Sequence, residues 1–300
     1  MSVEFCGLEL AHPIVNGSGT FDALAARRAF GAALDEQFPF AAYVSKTITL
    51  EPRAGNPPPR LWETPAGLIN SIGLPNKGLA GYLAEDLPEL ASLPVPLITN
   101  VMGSNAAEIA ELVQACDACT EIAAIELNVS CPNVKTGLDI GADPRQLEQV
   151  VRAVRVRTRK PLIVKLTPNA ADVAACAVAA QEGGADAVSL INTLRAYALA
   201  PGSRDGRGGS RSAEPWLGGR TGGLSGPAIR AVALAQVAAV AASAEIPVIG
   251  MGGVSSATHA RELLDVGARL VAVGTASFRD PAVGARIARE LNSRPASVHA

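Results

Sequence analysis

The run Asn128-Val129-Ser130-Cys131-Pro132-Asn133 places a thiol among side-chain amides in a polar loop. A cysteine in that setting can act as a general base once its thiolate is stabilised. Two lysines have unusual company. Lys46 sits in Ser45-Lys46-Thr47, and Lys165 lies inside the apolar run Pro161–Leu166, PLIVKL. A surface role explains the second poorly. It suits neutralisation of an anion or, with a lowered pKa, Schiff-base chemistry. Further polar side chains recur at the ends of short apolar runs: Asn16, Ser18, Thr99-Asn100, Glu126, Asn128 and Asn192-Thr193. Gly252-Gly253 and Gly274-Thr275 could cradle a phosphate with backbone N–H groups. Either pair alone would serve a tight turn equally well. The histidines, His12, His259 and His299, fall at a strand start, in a helix and at the terminus, which disfavours a metal site or a Ser–His triad. Cys116-x-x-Cys119 has no second pair and falls on a helical stretch. The thiols of Cys6, Cys116, Cys119 and Cys176 suit inert, buried positions.

The elements that must position these groups follow a regular order. Eight short, nearly continuous apolar runs end in the polar residues above: His12–Asn16, Ala41–Lys46, Val95–Val101, Ala123–Asn128, Pro161–Leu166, Asp186–Asn192, Pro247–Met251 and Leu270–Gly274. Such runs signal strands buried on both faces of a parallel sheet. Helical stretches separate them: Ala106–Ala118, Pro144–Thr158, Ala170–Glu182, Pro227–Ser243, Ser256–Val266 and Pro281–Leu291. The pattern predicts an α/β protein, a single (β/α)₈ TIM barrel over residues 1–300. Its catalytic groups would gather where the strands end. The two glycine pairs then follow the seventh and eighth strands, where barrels commonly hold phosphate, and this favours an anion site. The residues before His12 predict a small N-terminal β-hairpin capping the barrel bottom. A doubly wound dinucleotide fold lacks its fingerprint, because Asp22 stands where Gly17-x-Gly19 would need a third glycine. Two long loops interrupt the alternation, Glu51–Lys77 and Pro201–Gly226. The first reads as part of the site and the second as carrying a flexible Gly/Arg/Ser insertion, 202–211.

Composition narrows the function classes. The 300 residues include 29 Gly and 21 Pro, with 48% hydrophobic and 4% aromatic residues and a net charge of −2. That much apolar side chain argues for a packed core rather than disorder. No block of like charge offers a nucleic-acid footprint. The longest apolar stretch, Ala231–Ala242, is too short for a membrane span. The N-terminus lacks the pattern of a signal peptide. Five cysteines do not make a disulfide framework. The expectation is a cytoplasmic protein that binds neither membrane nor nucleic acid.

Taken in order, the cysteine loop, Ser45-Lys46-Thr47, Asn56-Pro57-Pro58-Pro59-Arg60, Asn70-Ser71-Ile72-Gly73-Leu74-Pro75-Asn76, Lys165-Leu166-Thr167-Pro168-Asn169 and Thr221-Gly222-Gly223-Leu224-Ser225-Gly226 resemble class 1 dihydroorotate dehydrogenases. The likeness runs from about Val3 to Leu291. Lys46-Thr47-Ile48-Thr49 and Trp62-Glu63-Thr64-Pro65-Ala66-Gly67 look more like the NAD-linked type B catalytic subunit than the fumarate-using type A. Membrane-bound class 2 relatives have Ser in place of the cysteine and carry an N-terminal anchor.

The resemblance implies one FMN per chain at the barrel mouth and oxidation of dihydroorotate to orotate in pyrimidine synthesis. Cys131 would be the base that takes the C5 proton while hydride leaves C6 for the flavin. Implied substrate contacts are Lys46, Asn70, Ser71, Ile72, Gly73, Leu74, Asn128, Asn133, Asn192 and Thr193. Implied FMN contacts are Ser18, Lys46, Thr47, Asn100, Asn128, Lys165, Ile191, Gly226, Gly252, Gly253, Gly274 and Thr275. Lys165 would stabilise negative charge on the reduced flavin. Gly137 and Gly141 would flank a mobile lid over Pro132–Asp143. A homodimer is implied, and for type B a heterotetramer with an electron-transfer subunit holding FAD and a [2Fe–2S] cluster. This sequence has neither the clustered cysteines nor the nucleotide fingerprint for those groups. Three other readings compete: a fumarate-reducing type A enzyme, a Schiff-base aldolase using Lys165, and a flavin- or phosphate-binding module without turnover.

Overall fold

The computed structural model describes residues 2–129, 140–200 and 214–293. The chain opens with an antiparallel hairpin, β1 (Val3–Phe5) and β2 (Leu8–Leu10), turned by Cys6 and Gly7, both at positive φ. A two-residue turn of that hand matches the twist of the paired strands. Phe5 and Leu10 are 1% exposed and pack with Val15, Ile98, Ala124, Ile163, Ala187, Ile249 and Leu270. The expected hairpin therefore exists, and it plugs the barrel interior from below.

The remaining strands, in chain order, are β3 (Ile14–Asn16), β4 (Tyr43–Val44), β5 (Leu61–Thr64), β6 (Gly67–Asn70), β7 (Leu97–Val101), β8 (Ile122–Asn128), β9 (Leu162–Lys165), β10 (Ala187–Leu190), β11 (Leu194–Tyr197), β12 (Thr221–Ser225), β13 (Val248–Met251) and β14 (Leu270–Val273). Eight of them form one parallel sheet in the order β3-β14-β13-β10-β9-β8-β7-β4. The sheet curls round so that Ala41 N donates to Ile14 O at 2.9 Å, which brings β4 back to β3. All eight predicted apolar runs supply a barrel strand, and their continuous burial reflects the interior on one face and helices on the other.

Helices α1 (Ala23–Phe30), α2 (Ala32–Glu36), α3 (Gly78–Gly81), α4 (Leu87–Leu90), α5 (Ala106–Asp117), α6 (Pro144–Arg155), α7 (Val173–Glu182), α8 (Arg230–Ser243), α9 (Ala257–Asp265) and α10 (Val283–Asn292) accompany the strands. Asp22, Asn105, Asp143, Asp172 and Ser256 each accept a backbone N–H in the first turn of the helix that follows. These caps fix where the strand-end loops give way to helix. The six predicted helical stretches correspond to α5–α10. The short α1 to α4 carry no equivalent expectation, and a π-type turn, Tyr82–Asp86, joins α3 to α4.

The two long loops prove more ordered than their composition suggests. The first contributes β5 and β6, and the second β12, to a second, antiparallel sheet in the order β11-β12-β6-β5, whose β11 precedes the second loop. β11 begins just after β10 ends and β12 runs directly into Gly226, so this sheet stands beside the C-terminal mouth of the barrel. Trp62 and Trp216 meet edge-to-face at 5.6 Å over buried Ile69, Ala198 and Leu217. The insertion 202–211 lies outside the described residues.

Candidate active site

Strand alternation sends every second side chain of β7–β10 into the barrel. At the bottom these are apolar, Ile98, Ala124, Ile163 and Ala187. One step higher they turn polar. Asn100 on β7 lies opposite Glu126 on β8, and Asn128 and Ser189 both lie opposite Lys165 on β9. All are buried, from 0% exposure at Asn100 and Ser189 to 8% at Asn128. Glu126 accepts from Asn100 Nδ2 at 2.5 Å on one oxygen and from Ser189 Oγ at 2.8 Å on the other.

Two groups in this layer lack partners among the described residues. Asn100 Oδ1 is buried and accepts no hydrogen bond among the described residues. Lys165 is 6% exposed, and no described acceptor or carboxylate engages its ammonium. Burying a cation and a carbonyl unpaired costs free energy unless a ligand completes them. The pair asks for a ligand bearing negative charge and a hydrogen-bond donor.

The first two strand ends converge on the same opening. Ser18 Oγ donates to Ser45 O at 2.7 Å and lies 3.3 Å from Thr47 Oγ1. Lys46 crosses to the same loop, since a Cβ at Gly19 would lie 3.9 Å from its Nζ. Its side chain reaches solvent, yet the surrounding protein desolvates the ammonium and pulls its pKa below the ordinary lysine value. Asp22 opposes that shift and Arg60 reinforces it. On the far side, Ile191 N donates to Met251 O at 2.9 Å, and Thr275 Oγ1 donates to Ser225 Oγ at 2.8 Å. The first bond ties the residue after β10 to the end of β13, and the second ties the residues after β14 to the end of β12.

Gly252 and Gly253 have φ of +134° and +70°, a region that side chains strain. A Cβ at Gly253 would also come within 2.8 Å of Arg230 Cβ and 3.0 Å of Gly226 O. The expected cradle of Gly226, Gly252, Gly253, Gly274 and Thr275 therefore gathers in one place.

The antiparallel sheet supplies the other wall. Asn70 Nδ2 donates to Gly223 O at 3.3 Å, and Asn169 Nδ2 donates to Thr193 O at 3.2 Å. Thr193 presses so closely on β12 that a Cβ at Gly223 would overlap its hydroxyl at 1.9 Å. Asn192 Oδ1 accepts from Thr193 N at 2.9 Å. Ser71 is fully buried and spends its hydroxyl on Thr221 O at 2.7 Å, while Asn56 Nδ2 donates to both its oxygens at 3.1 Å. It ties the hairpin down, flanked by Ile72, Gly73 and Leu74. Asn76, absent from the sequence candidates, accepts from Thr49 N and Gly78 N and donates to Leu74 O at 2.9 Å, holding Leu74 at φ +54°. Its place at the end of the Asn70–Asn76 motif was the only available signal.

Cys131 and Asn133 lie outside the described residues, as does most of the expected lid, Pro132 to Asp139 with Gly137. Gly141, at the other end of that segment, packs against Val129, where a Cβ would fall 2.7 Å from Val129 Cγ2. Burial pushes the Cys6 and Cys116 thiols up to about 12 and Cys176 up to about 11, so they match the inert role expected of them. Among the described residues no group of three or more His, Cys, Asp or Glu could hold a metal, and no helix is long and apolar enough to cross a membrane.

Comparison with known proteins bears directly on this arrangement. A family model described as dihydroorotate dehydrogenase matches residues 1–294. The chain is 46% identical over 292 residues to the catalytic subunit of dihydroorotate dehydrogenase B (NAD(+)) of Pelobacter propionicus, covering 97% of this chain and 92% of that protein. Proteins of the same name from Citrifermentans bemidjiense and Desulforudis audaxviator are each 44% identical. Those matches cover 97% of this chain and 92% and 91% of the respective relatives.

Proposed function

The chain belongs to the dihydroorotate dehydrogenase family, and from that membership we propose that it oxidises (S)-dihydroorotate to orotate, the redox step of pyrimidine synthesis, with one FMN at the barrel mouth. The observation that carries the reading is the unpaired polar layer: buried Lys165 and the orphaned Asn100 Oδ1 fit a flat ligand that accumulates negative charge and carries hydrogen-bond donors. The glycine cradle at Gly226, Gly252, Gly253 and Gly274 fits that ligand's phosphate. Ser18, Thr47, Asn128, Ile191 and Thr275 complete the cofactor contacts. The chain from 1 to 300 is one FMN-binding barrel domain in this reading.

Bound FMN would supply a two-electron acceptor for the hydride that leaves C6 of the substrate. The chain's own residues do the rest. Cys131, three positions after the end of β8, takes the proton from C5. The amides of Asn70, Asn128, Asn133 and Asn192, with Thr193, match the alternating donors and acceptors of the pyrimidine ring, since each amide can give and accept. Lys46 meets the substrate carboxylate or the cofactor. Lys165 holds a fixed positive charge where negative charge develops, and desolvation magnifies its effect.

The relatives' name, catalytic subunit of an NAD(+) enzyme, supports a partner chain here. That partner would hold FAD and a [2Fe–2S] cluster and pass electrons to NAD⁺, with this chain as a homodimer at the centre of a heterotetramer in the cytoplasm. Purified alone, the chain should show a flavin spectrum that dihydroorotate bleaches. It should turn over with NAD⁺ only when the partner is added. A colourless chain to which FMN does not bind would overturn the cofactor, and steady fumarate reduction by the isolated chain would overturn the type B assignment.

A further inference from the structure

Glu126 is the one carboxylate among the described residues of the barrel's polar layer, and the proposed reaction gives it no task. It is 2% exposed, and its two oxygens take one hydrogen bond each, from Asn100 Nδ2 and Ser189 Oγ. An ionised carboxylate can only accept. It therefore dictates which half of the Asn100 amide faces it: the NH₂ must point to Glu126, and the carbonyl oxygen must point away. That oxygen is the buried atom left without a partner. A neutral side chain at 126 would lift the constraint, because an amide there accepts Asn100 in either orientation.

We propose that Glu126 is a positioning residue that fixes the Asn100 amide so that its carbonyl oxygen is offered to a hydrogen-bond donor of the cofactor. The proposal rests on the reading of this site as the FMN site. Glu126 does not touch the cofactor in this scheme; it acts through Asn100. Ser189 serves the same end, because its hydroxyl occupies the second oxygen and stops the carboxylate from turning. The strand register supports this, as Asn100 lies directly opposite Glu126 on the neighbouring strand. No chain movement is needed to keep the pair in contact.

The test is FMN titration of flavin-free protein, followed by fluorescence quenching, in a double-mutant cycle. Glu126→Gln, which keeps the side-chain volume, is expected to weaken FMN about tenfold, roughly the worth of one hydrogen bond to a charged group. In an Asn100→Ala background the same change should alter FMN affinity by less than about twofold, because the residue it acts through is gone. A reversed pair, N100D with E126Q, restores one donor facing one acceptor. It should bind FMN more tightly than N100D alone, which sets two carboxylates against each other. This rescue also serves if E126Q by itself folds poorly. An unchanged affinity in E126Q, or a tenfold loss that persists undiminished in the Asn100→Ala background, overturns the proposal while leaving FMN binding intact. Failure of the wild-type chain to bind FMN overturns the functional reading, and the proposal with it.

Discussion

The side chain of Asn16 pairs with both backbone groups of Val44: Nδ2 donates to Val44 O at 2.8 Å, and Oδ1 accepts from Val44 N at 2.8 Å. β3 and β4 are too short to complete a ladder between them, and this one amide stands in for the missing residue pair at the barrel seam. Asn16→Ala would leave two buried backbone groups without partners. The expected loss is about 2–4 kcal/mol in urea-induced unfolding. Asn16→Asp should lose at least as much, since a carboxylate cannot donate to Val44 O. If Asn16→Ala unfolds at the same urea concentration as the wild type, the seam is held elsewhere.

The pH dependence of stability should carry a signature from His12. Its ring is largely removed from water, and desolvation lowers its pKa from the usual 6.5. Its Nδ1 accepts from Ile14 N at 3.3 Å, which requires the neutral ring. The unfolded chain then binds a proton on this residue at a higher pH than the folded chain does. Folding stability therefore falls as pH drops below about 6.5, and levels off once the folded histidine also titrates. The slope from one such group cannot exceed about 1.4 kcal/mol per pH unit. His12→Asn keeps an acceptor and removes the titration, so its stability should be flatter than the wild type's between pH 7 and 5. Parallel curves for the two proteins would assign the acid slope to other groups.

The barrel could be read from the sequence because each strand announces itself locally, with an apolar run, a polar end and a capped helix after it. The antiparallel sheet at the mouth could not. β12 is Thr-Gly-Gly-Leu-Ser and β6 is Gly-Leu-Ile-Asn, weak strand formers, and the pairing of one with the other that joins the sheet spans some 150 residues. Gly223 is glycine because Thr193 packs onto it, a contact that no local pattern reveals. The site divides in the same way. Lys165 stood out as a cation inside an apolar run, and the strand-end amides followed from topology. The work of Glu126 and of Asn16 depends on which strand lies opposite which residue, and register is set by the closed barrel as a whole.

Cys131 follows Asn128 at the end of β8; of the other four thiols Cys116 and Cys176 are buried and Cys6 and Cys119 only half-buried, and desolvation raises the pKa of each. If it is the base proposed above, it should be needed for chemistry and not for cofactor retention. Cys131→Ala is expected to keep its flavin absorbance while dihydroorotate bleaches that absorbance at least about 10²-fold more slowly in stopped-flow. Bleaching at the wild-type rate would remove Cys131 from proton transfer.

Lys165 combines a stability cost with a chemical benefit, and one substitution separates them. The ammonium is buried on β9 with no anion beside it among the described residues. In flavin-free protein the ammonium is buried without a hydrogen-bonded or ion-paired partner among the described residues, and Glu126, in the same layer, is already engaged by Asn100 and Ser189. Lys165→Met, similar in length and apolar, should therefore melt at the same temperature as the flavin-free wild type or above it. In the holoenzyme the order should reverse. Without the fixed positive charge, reduction of the flavin loses stabilisation, and dihydroorotate oxidation should slow by about 10²-fold or more. A flavin potential measured by dye equilibration should move to more negative values for the same reason. If Lys165→Met instead destabilises the flavin-free chain and leaves the potential in place, the lysine is a structural member of the barrel and its charge has no part in the reaction.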